Sequence, residues 1–218
     1  MPGRVIAIDG PAASGKSSVS RGVASALGFL FVSSGHFYRA MAWGAVRDGI
    51  AGDHAEAVEA WIRGRRLEVV ESGAGVSLHL DGQDATPHLS EPAVAAMVSK
   101  LAAFPVVRDL INADLRALAG SRDLVMEGRD IGSVVFPATP YKFYLDASPE
   151  ERARRRAREG AVDSVAERDR LDSTRATAPL KVPEGAVVID TTHLDLDGVI
   201  AAVLSHLGTL QELGPAGK

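Results

Sequence analysis

Gly10-Pro11-Ala12-Ala13-Ser14-Gly15-Lys16-Ser17 decides how this chain reads. The octet fits G-x-x-x-x-G-K-[ST], the phosphate-binding loop. Before it, Arg4-Val5-Ile6-Ala7-Ile8-Asp9 is an apolar run ending in an acid, which reads as a buried parallel strand. After it, Ser17 to Leu27 sets Val19, Val23, Ala26 and Leu27 on one helical stripe, with Gly28 as the C-terminal stop. The chemistry follows from that context. Glycines let successive backbone N–H groups turn toward a phosphate. The helix N-terminus adds the positive end of its dipole. Lys16 reaches the β and γ phosphates, and the Ser17 hydroxyl stands where it can ligate Mg²⁺.

Composition narrows the classes. A chain of 218 residues can bury a real core and suits one domain, or one core with insertions. A net charge of −4 and a pI near 5.9 do not call for a polyanionic partner. There is no cysteine, so neither a disulfide scaffold nor a Cys-based zinc site can form, which fits a reducing cytoplasm. Met1-Pro2-Gly3-Arg4 leads straight into the first strand, leaving no room for a signal peptide. No apolar run approaches the ~20 residues of a membrane span.

Outward from the loop, Phe29 to Val32 reads as a second strand, and Ser34 as the cap of the helix carrying Arg39. Arg39 then lies at a strand's carboxyl end, where open α/β sheets bind ligands. His36 reads as a solvent-exposed residue without a role. Asp53 with Glu56 reads as a capping box. Leu67–Glu71 and Val76–Gly82, about the turn Ser72-Gly73-Ala74-Gly75, read as a hairpin that interrupts the strand–helix alternation. Such an interruption implies an inserted subdomain. A helix follows from Ser90-Glu91-Pro92. After Pro105, a second helical stripe leaves Arg108 off its apolar face. Asp123–Glu127 is a strand, and Gly128-Arg129-Asp130 follows at once: an arginine and an acid just past a strand end. The bland alternative is a turn with a surface ion pair.

Tyr141–Asp146 and Val187–Asp190 complete the strands, and Asp195 opens a last helix whose Leu196, Val199, Ile200, Val203, Leu204 and Leu207 face the sheet. Between those strands, Ser148-Pro149-Glu150-Glu151 opens a helix carrying Arg152, Arg154, Arg155, Arg156 and Arg158. Three readings compete for it: nucleic-acid binding, a solvated charged face, and an arginine lid over phosphates. Few aromatics accompany the run, which weighs against a single-strand platform. Arg154 and Arg158 read as solvated. Val165 to Arg175 is again dense in Arg and Asp, poor core material that suits a hinged lid over a charged ligand.

Taken together, Ile8–Ser17 (I-D-G-P-x-x-S-G-K-S), Ser33–Arg39 (S-S-G-x-x-Y-R), Ser99–Arg108 (S-x-x-A-A-F-P-x-V-R), Gly128–Pro137 (G-R-D-x-G-x-V-V-F-P) and Glu167–Arg175 (E-R-D-x-x-D-x-x-R) resemble bacterial cytidylate kinases over nearly the whole chain. The resemblance implies an α/β P-loop nucleoside-monophosphate kinase fold with a parallel five-stranded core. The core would comprise residues 1–60, 103–150 and 177–218, the monophosphate-binding insertion 61–102 and the lid 151–176. It implies transfer of the γ-phosphoryl group of ATP to CMP and dCMP, with Mg²⁺, by a cytoplasmic monomer without nucleic-acid or membrane partners. Gly10, Pro11, Ala12, Ala13, Ser14, Gly15, Lys16, Ser17 and Ser18 would hold ATP, with Ser17 also on the metal. Arg168, with Arg152 and Arg156, would reach the ATP phosphates. Arg39, Arg129 and Arg175 would clamp the monophosphate and, with Lys16, serve catalysis. Ser34 joins them on the substrate, Ser99, Arg108 and Asp130 would read cytosine, and Asp172 would bind ribose.

Two residues depart from the family's habit: Ser33 stands where Asp is frequent, and Glu127 where Asp is common before G-R-D. The lid between Arg156 and Glu167 is shorter than in many relatives. Other readings remain on the table: another small-molecule P-loop kinase of the uridylate/cytidylate or shikimate type, a nucleotide switch, and a nucleic-acid binder. A switch would be expected to carry a guanine-reading N-K-x-D, and the sequence has none.

Overall fold

The computed structural model describes residues 3–72, 75–120, 122–158, 169–170 and 178–209. Strand and helix alternate from the start: β1 (Val5–Asp9), α1 (Lys16–Leu27), β2 (Leu30–Ser33), α2 (Ser34–Arg47) and α3 (Ala55–Ile62). The alternation then breaks for β3 (Leu67–Ser72), β4 (Gly75–Leu80) and β5 (Gln83–Asp84), followed by α4 (Pro92–Leu101) and α5 (Pro105–Ala119). It resumes with β6 (Leu124–Gly128), β7 (Lys142–Asp146), α6 (Pro149–Arg158), β8 (Val187–Asp190) and α7 (Leu196–Thr209).

Five of these strands pair in parallel in the order β2-β6-β1-β7-β8. Side chains alternate across a strand, so a strand covered on both faces must be apolar throughout. β1 obeys this: Val5 and Ala7 enter one core with Phe37, Met41, Ile111 and Leu115, while Ile6 and Ile8 enter the other with Val19, Val23, Val199 and Val203. The continuous run expected before the loop is therefore the centre of a sandwiched sheet. The hairpin β3/β4 forms its own antiparallel sheet, extended by the short β5, and buries Leu78 and Leu80 against the α2 side of the core.

Local expectations fail at four places. Ser33, not Ser34, occupies the N-cap of α2, and its hydroxyl bonds Glu127 instead of capping. His54, not Asp53, precedes α3, with no side-chain cap. Leu196 is 48% exposed, so the sheet-facing stripe of α7 begins at Val199. Arg108, although off the apolar stripe of α5, is buried. Among the described residues no helix is long and apolar enough to cross a membrane.

Candidate active site

The carboxyl ends of β2, β6 and β1 lie side by side, and the register aligns Ser33 with Glu127 and Asp9 with Gly128. Each strand delivers one piece of the site. From β1 the chain enters the loop Gly10–Lys16, whose turns need special backbone. Ala13 and Gly15 adopt positive φ, of 57° and 86°. A Cβ on Gly10 would run into the Leu145 carbonyl. Lys16 opens α1 buried, its Nζ donating to the Pro11 carbonyl at 2.9 Å across the loop. Ser14 is buried, with a hydroxyl that has no partner among the described residues. Ser17 and Ser18 face solvent at the head of α1.

From the ends of β2 and β6 comes an oxygen cluster. The Glu127 carboxylate is buried and accepts hydrogen bonds from two hydroxyls, Ser17 at 3.1 Å and Ser33. The two departures from family habit are thus in direct contact, and Glu127 of that pair also accepts from Ser17 of the phosphate loop. The set is one carboxylate and two hydroxyls, hard oxygen donors of the kind Mg²⁺ takes while keeping several waters. Among the described residues no group of three or more His, Cys, Asp or Glu could hold a metal on its own. His36 is half-buried rather than exposed. Burial pushes its imidazole pKa down, while the nearby Glu127 carboxylate pulls the other way.

Past β6, Arg129 is half-buried and Asp130 fully buried. Asp130 forms a buried ion pair with Arg108 of α5, so the surface-pair alternative is overturned. Arg108 also donates to the Ala102 carbonyl at 3.3 Å and stacks 5.5 Å over the Tyr38 ring, but its buried Nε has no partner among the described residues. Ser99 lies half-buried on α4, one turn before that carbonyl. Arg39 on α2 donates to the Leu89 carbonyl at 2.8 Å, tying α2 to the segment after the hairpin. Ser34 is buried with its hydroxyl against Gly128, where a Cβ would leave only 2.5 Å.

At β1's end, Asp9 is fully buried and accepts N–H bonds from Ile131 at 2.8 Å and Gly132 at 2.7 Å. Burial pushes its carboxyl pKa up to about 7 against the pull of those two donors. Nearby Asp130 adds to the rise and Lys16 opposes it.

The arginine helix splits by face. Arg152 is buried, donating to the Ala147 carbonyl at 3.0 Å and the Ala12 carbonyl at 3.4 Å, and it pairs with Asp169. Asp169 in turn accepts the Ala12 N–H of the phosphate loop at 3.2 Å. Arg155 holds Thr191 through its hydroxyl and carbonyl, at 3.0 and 2.6 Å, and that hydroxyl donates to the Ser14 carbonyl. Arg156 is half-buried, whereas Arg154 and Arg158 face solvent as expected. This helix is thus tied to the phosphate loop directly by Arg152 and, through Thr191, by Arg155. Arg168, Asp172 and Arg175 lie outside the described residues.

Sequence reasoning missed the parts that depend on tertiary pairing. Asp9 registered only as the acid ending a strand, Arg155 only as one of a run, and Thr191 not at all. Asp9 alone carried a local signal: an ionisable residue closing an apolar strand is costly to bury unless it holds something.

The comparisons with known proteins can be set beside this geometry. A family model described as "Cytidylate kinase" matches residues 6–209. A relative from Bdellovibrio bacteriovorus named "Cytidylate kinase" is 42% identical over 212 residues, covering 94% of this chain and 98% of its own. One of the same name from Oleidesulfovibrio alaskensis is 37% identical over 216 residues, covering 93% and 97%. Among solved structures, a gluconokinase from Sinorhizobium meliloti 1021 overlays with a TM-score of 0.51 at 19% identity, covering 97% of this chain and 94% of that one. That likeness concerns the fold alone.

Proposed function

The chain belongs to the cytidylate kinase family, and we propose that it transfers the γ-phosphoryl group of ATP to CMP and dCMP, giving ADP with CDP or dCDP. The observation that carries the base choice is the buried Arg108–Asp130 pair just past the end of β6, with one buried guanidinium N–H that has no partner among the described residues. Cytosine offers an amino donor and two acceptors. Asp130 takes the donor and Arg108 the acceptors. Uracil would put an acceptor against the carboxylate, and a mispaired buried polar site rejects an analogue strongly.

The acceptor phosphate is already an anion, so no general base is required. The work is alignment and neutralisation of charge on the transferred group. The loop amides and Lys16 hold the donor phosphates. Arg39 and Arg129, with Arg175, grip the acceptor phosphate through planar bidentate forks. Ser99 assists the base, and Asp172 the ribose. Arg152, Arg156 and Arg168 approach the ATP phosphates from the lid, residues 151–176, with the insertion 61–102 closing the acceptor side and excluding water. Mg²⁺ would be held by Ser17 and Glu127, where it would supply neutralisation of phosphate charge. Ser33 steers Glu127 by its hydrogen bond. We take the enzyme as a cytoplasmic monomer.

The test is ADP formation from ATP and Mg²⁺ with CMP, dCMP, UMP, AMP and shikimate offered separately. Turnover confined to CMP and dCMP is expected. Equal use of UMP would keep the kinase and discard the role of Asp130, and no turnover with any acceptor would end the proposal.

A further inference from the structure

We propose that Asp9 is a positioning residue, joining the phosphate loop to the loop that carries Arg129 and Asp130 and so fixing the acceptor nucleotide against the donor. The inference rests on the reading of the chain as a CMP kinase and goes beyond it to a residue with no part in holding either substrate.

The geometry is that of a two-pronged clamp. Both carboxylate oxygens of Asp9 are used, one on the Ile131 amide at 2.8 Å and one on the Gly132 amide at 2.7 Å. These are the first two amides of the π-helical turn Ile131–Val135, which begins immediately after Asp130. The opening amides of any helical turn need an acceptor from outside it. The residue in the N-cap position ordinarily supplies one. Here that residue is Asp130, and its side chain makes no capping bond because it is committed to Arg108. Asp9 caps the turn in its place, from the end of β1, so the turn that follows Asp130 is held without a capping bond from the Asp130 side chain.

The clamp also spans the two halves of the reaction. Asp9 is followed directly by Gly10, the first residue of the phosphate loop. Its position along β1 is set by the register with Gly128, two residues before Asp130. One buried carboxylate therefore fixes the distance between donor-binding and acceptor-binding loops. Phosphoryl transfer depends on in-line alignment, where a displacement of about 1 Å costs rate heavily. The fit is close. A Cβ on Gly132 would sit 3.3 Å from the Asp9 oxygen and 3.2 Å from both Lys142 Cγ and Pro183 Cγ.

Asp9→Asn tests the clamp. The amide keeps the volume but turns an N–H₂ donor toward one of the two N–H donors. The expected result is a KM for CMP raised about tenfold with the KM for ATP held within about twofold, and a weakened preference for CMP over UMP. Gly132→Ala strains the same link from the other side and is expected to give a smaller change with the same split. That variant decides the matter if Asp9→Asn does not fold. Equal changes in both KM values, or a lowered melting temperature with both unchanged, would reduce Asp9 to a structural residue and overturn the inference. Failure of the unaltered enzyme to phosphorylate CMP would instead bring down the functional reading, and the clamp with it.

Discussion

At the scale of single residues, the site mixes groups that can be removed safely with groups that cannot. Lys16 belongs to the first kind. On the proposed mechanism its ammonium serves developing phosphate charge, and its contacts within the fold include the bond to the Pro11 carbonyl. Lys16→Ala is expected to lower kcat about 10²–10³-fold. Loss of the bond to the Pro11 carbonyl, worth about 1 kcal/mol, would by itself move the melting temperature by about 2–4 °C. Steady-state kinetics beside a thermal melt checks both. Asp130 belongs to the second kind. Asp130→Ala strands the Arg108 guanidinium in the interior, at about 3–5 kcal/mol, and so confounds stability with recognition. Asp130→Asn keeps a hydrogen bond while losing the charge. It is expected to raise the KM for CMP about 10- to 100-fold with little change for ATP. Asp9 adds a pH signature. Its folded pKa lies near 7, above the ordinary value of 3.8, because of burial. The native state therefore holds the proton more tightly than the unfolded chain. That contribution to stability is complete below about pH 4 and is lost as pH rises toward 7. Thermal melts of Asp9→Asn against the unaltered chain should show the variant losing less stability across that window. Parallel curves would mean that Asp9 does not titrate there.

At the scale of elements, what the sequence made legible was whatever depends on near neighbours. Gly28 ends α1 at φ 68°, and a Cβ there would meet nothing within 4 Å. Its cost is purely one of backbone, and Gly28→Ala is expected to destabilise by about 1 kcal/mol without touching activity. Denaturant unfolding with an unchanged KM checks it. Ser148 accepts the Glu151 N–H at 3.2 Å, as its spacing foretells. The same local pattern did not hold for Asp53: α3 begins at Ala55, and the cap position fell to His54. Arg108 shows the converse error. Helical periodicity puts it off the apolar stripe of α5, and a charge there reads as solvated. A carboxylate 22 residues away draws it inside. Periodicity registers the face a residue lies on, but not the partner waiting on that face.

At the scale of the whole molecule, the strand order carries the function. Five interchangeable apolar runs do not disclose which will be neighbours. Only the order β2-β6-β1 brings Ser33, Glu127 and the phosphate loop together, across 94 residues between Ser33 and Glu127. The family resemblance supplied the fold's name from its motifs. The contact between Ser33 and Glu127 emerged only once register was known. The same order places Asp130, just past β6, beside the strand that leads into the phosphate loop, and on the proposed reading this bears on the binding of CMP without ATP. A ligand at about a hundredfold its Kd stabilises a protein by about 2.7 kcal/mol. For a chain of this size that amounts to roughly 5–11 °C in melting temperature. CMP alone should produce such a shift, because the Arg108–Asp130 pair and the Asp9 clamp are made by this chain's own residues and call on no group of ATP. UMP at the same concentration should produce little if Asp130 reads the base as proposed, since its ring carries an acceptor where cytosine carries the amino donor. A melt with each nucleotide measures this without turnover. Equal shifts from CMP and UMP would mean that only phosphate and ribose are held in the binary complex. Base discrimination would then have to arise on closure over ATP, not from the sheet edge as it stands.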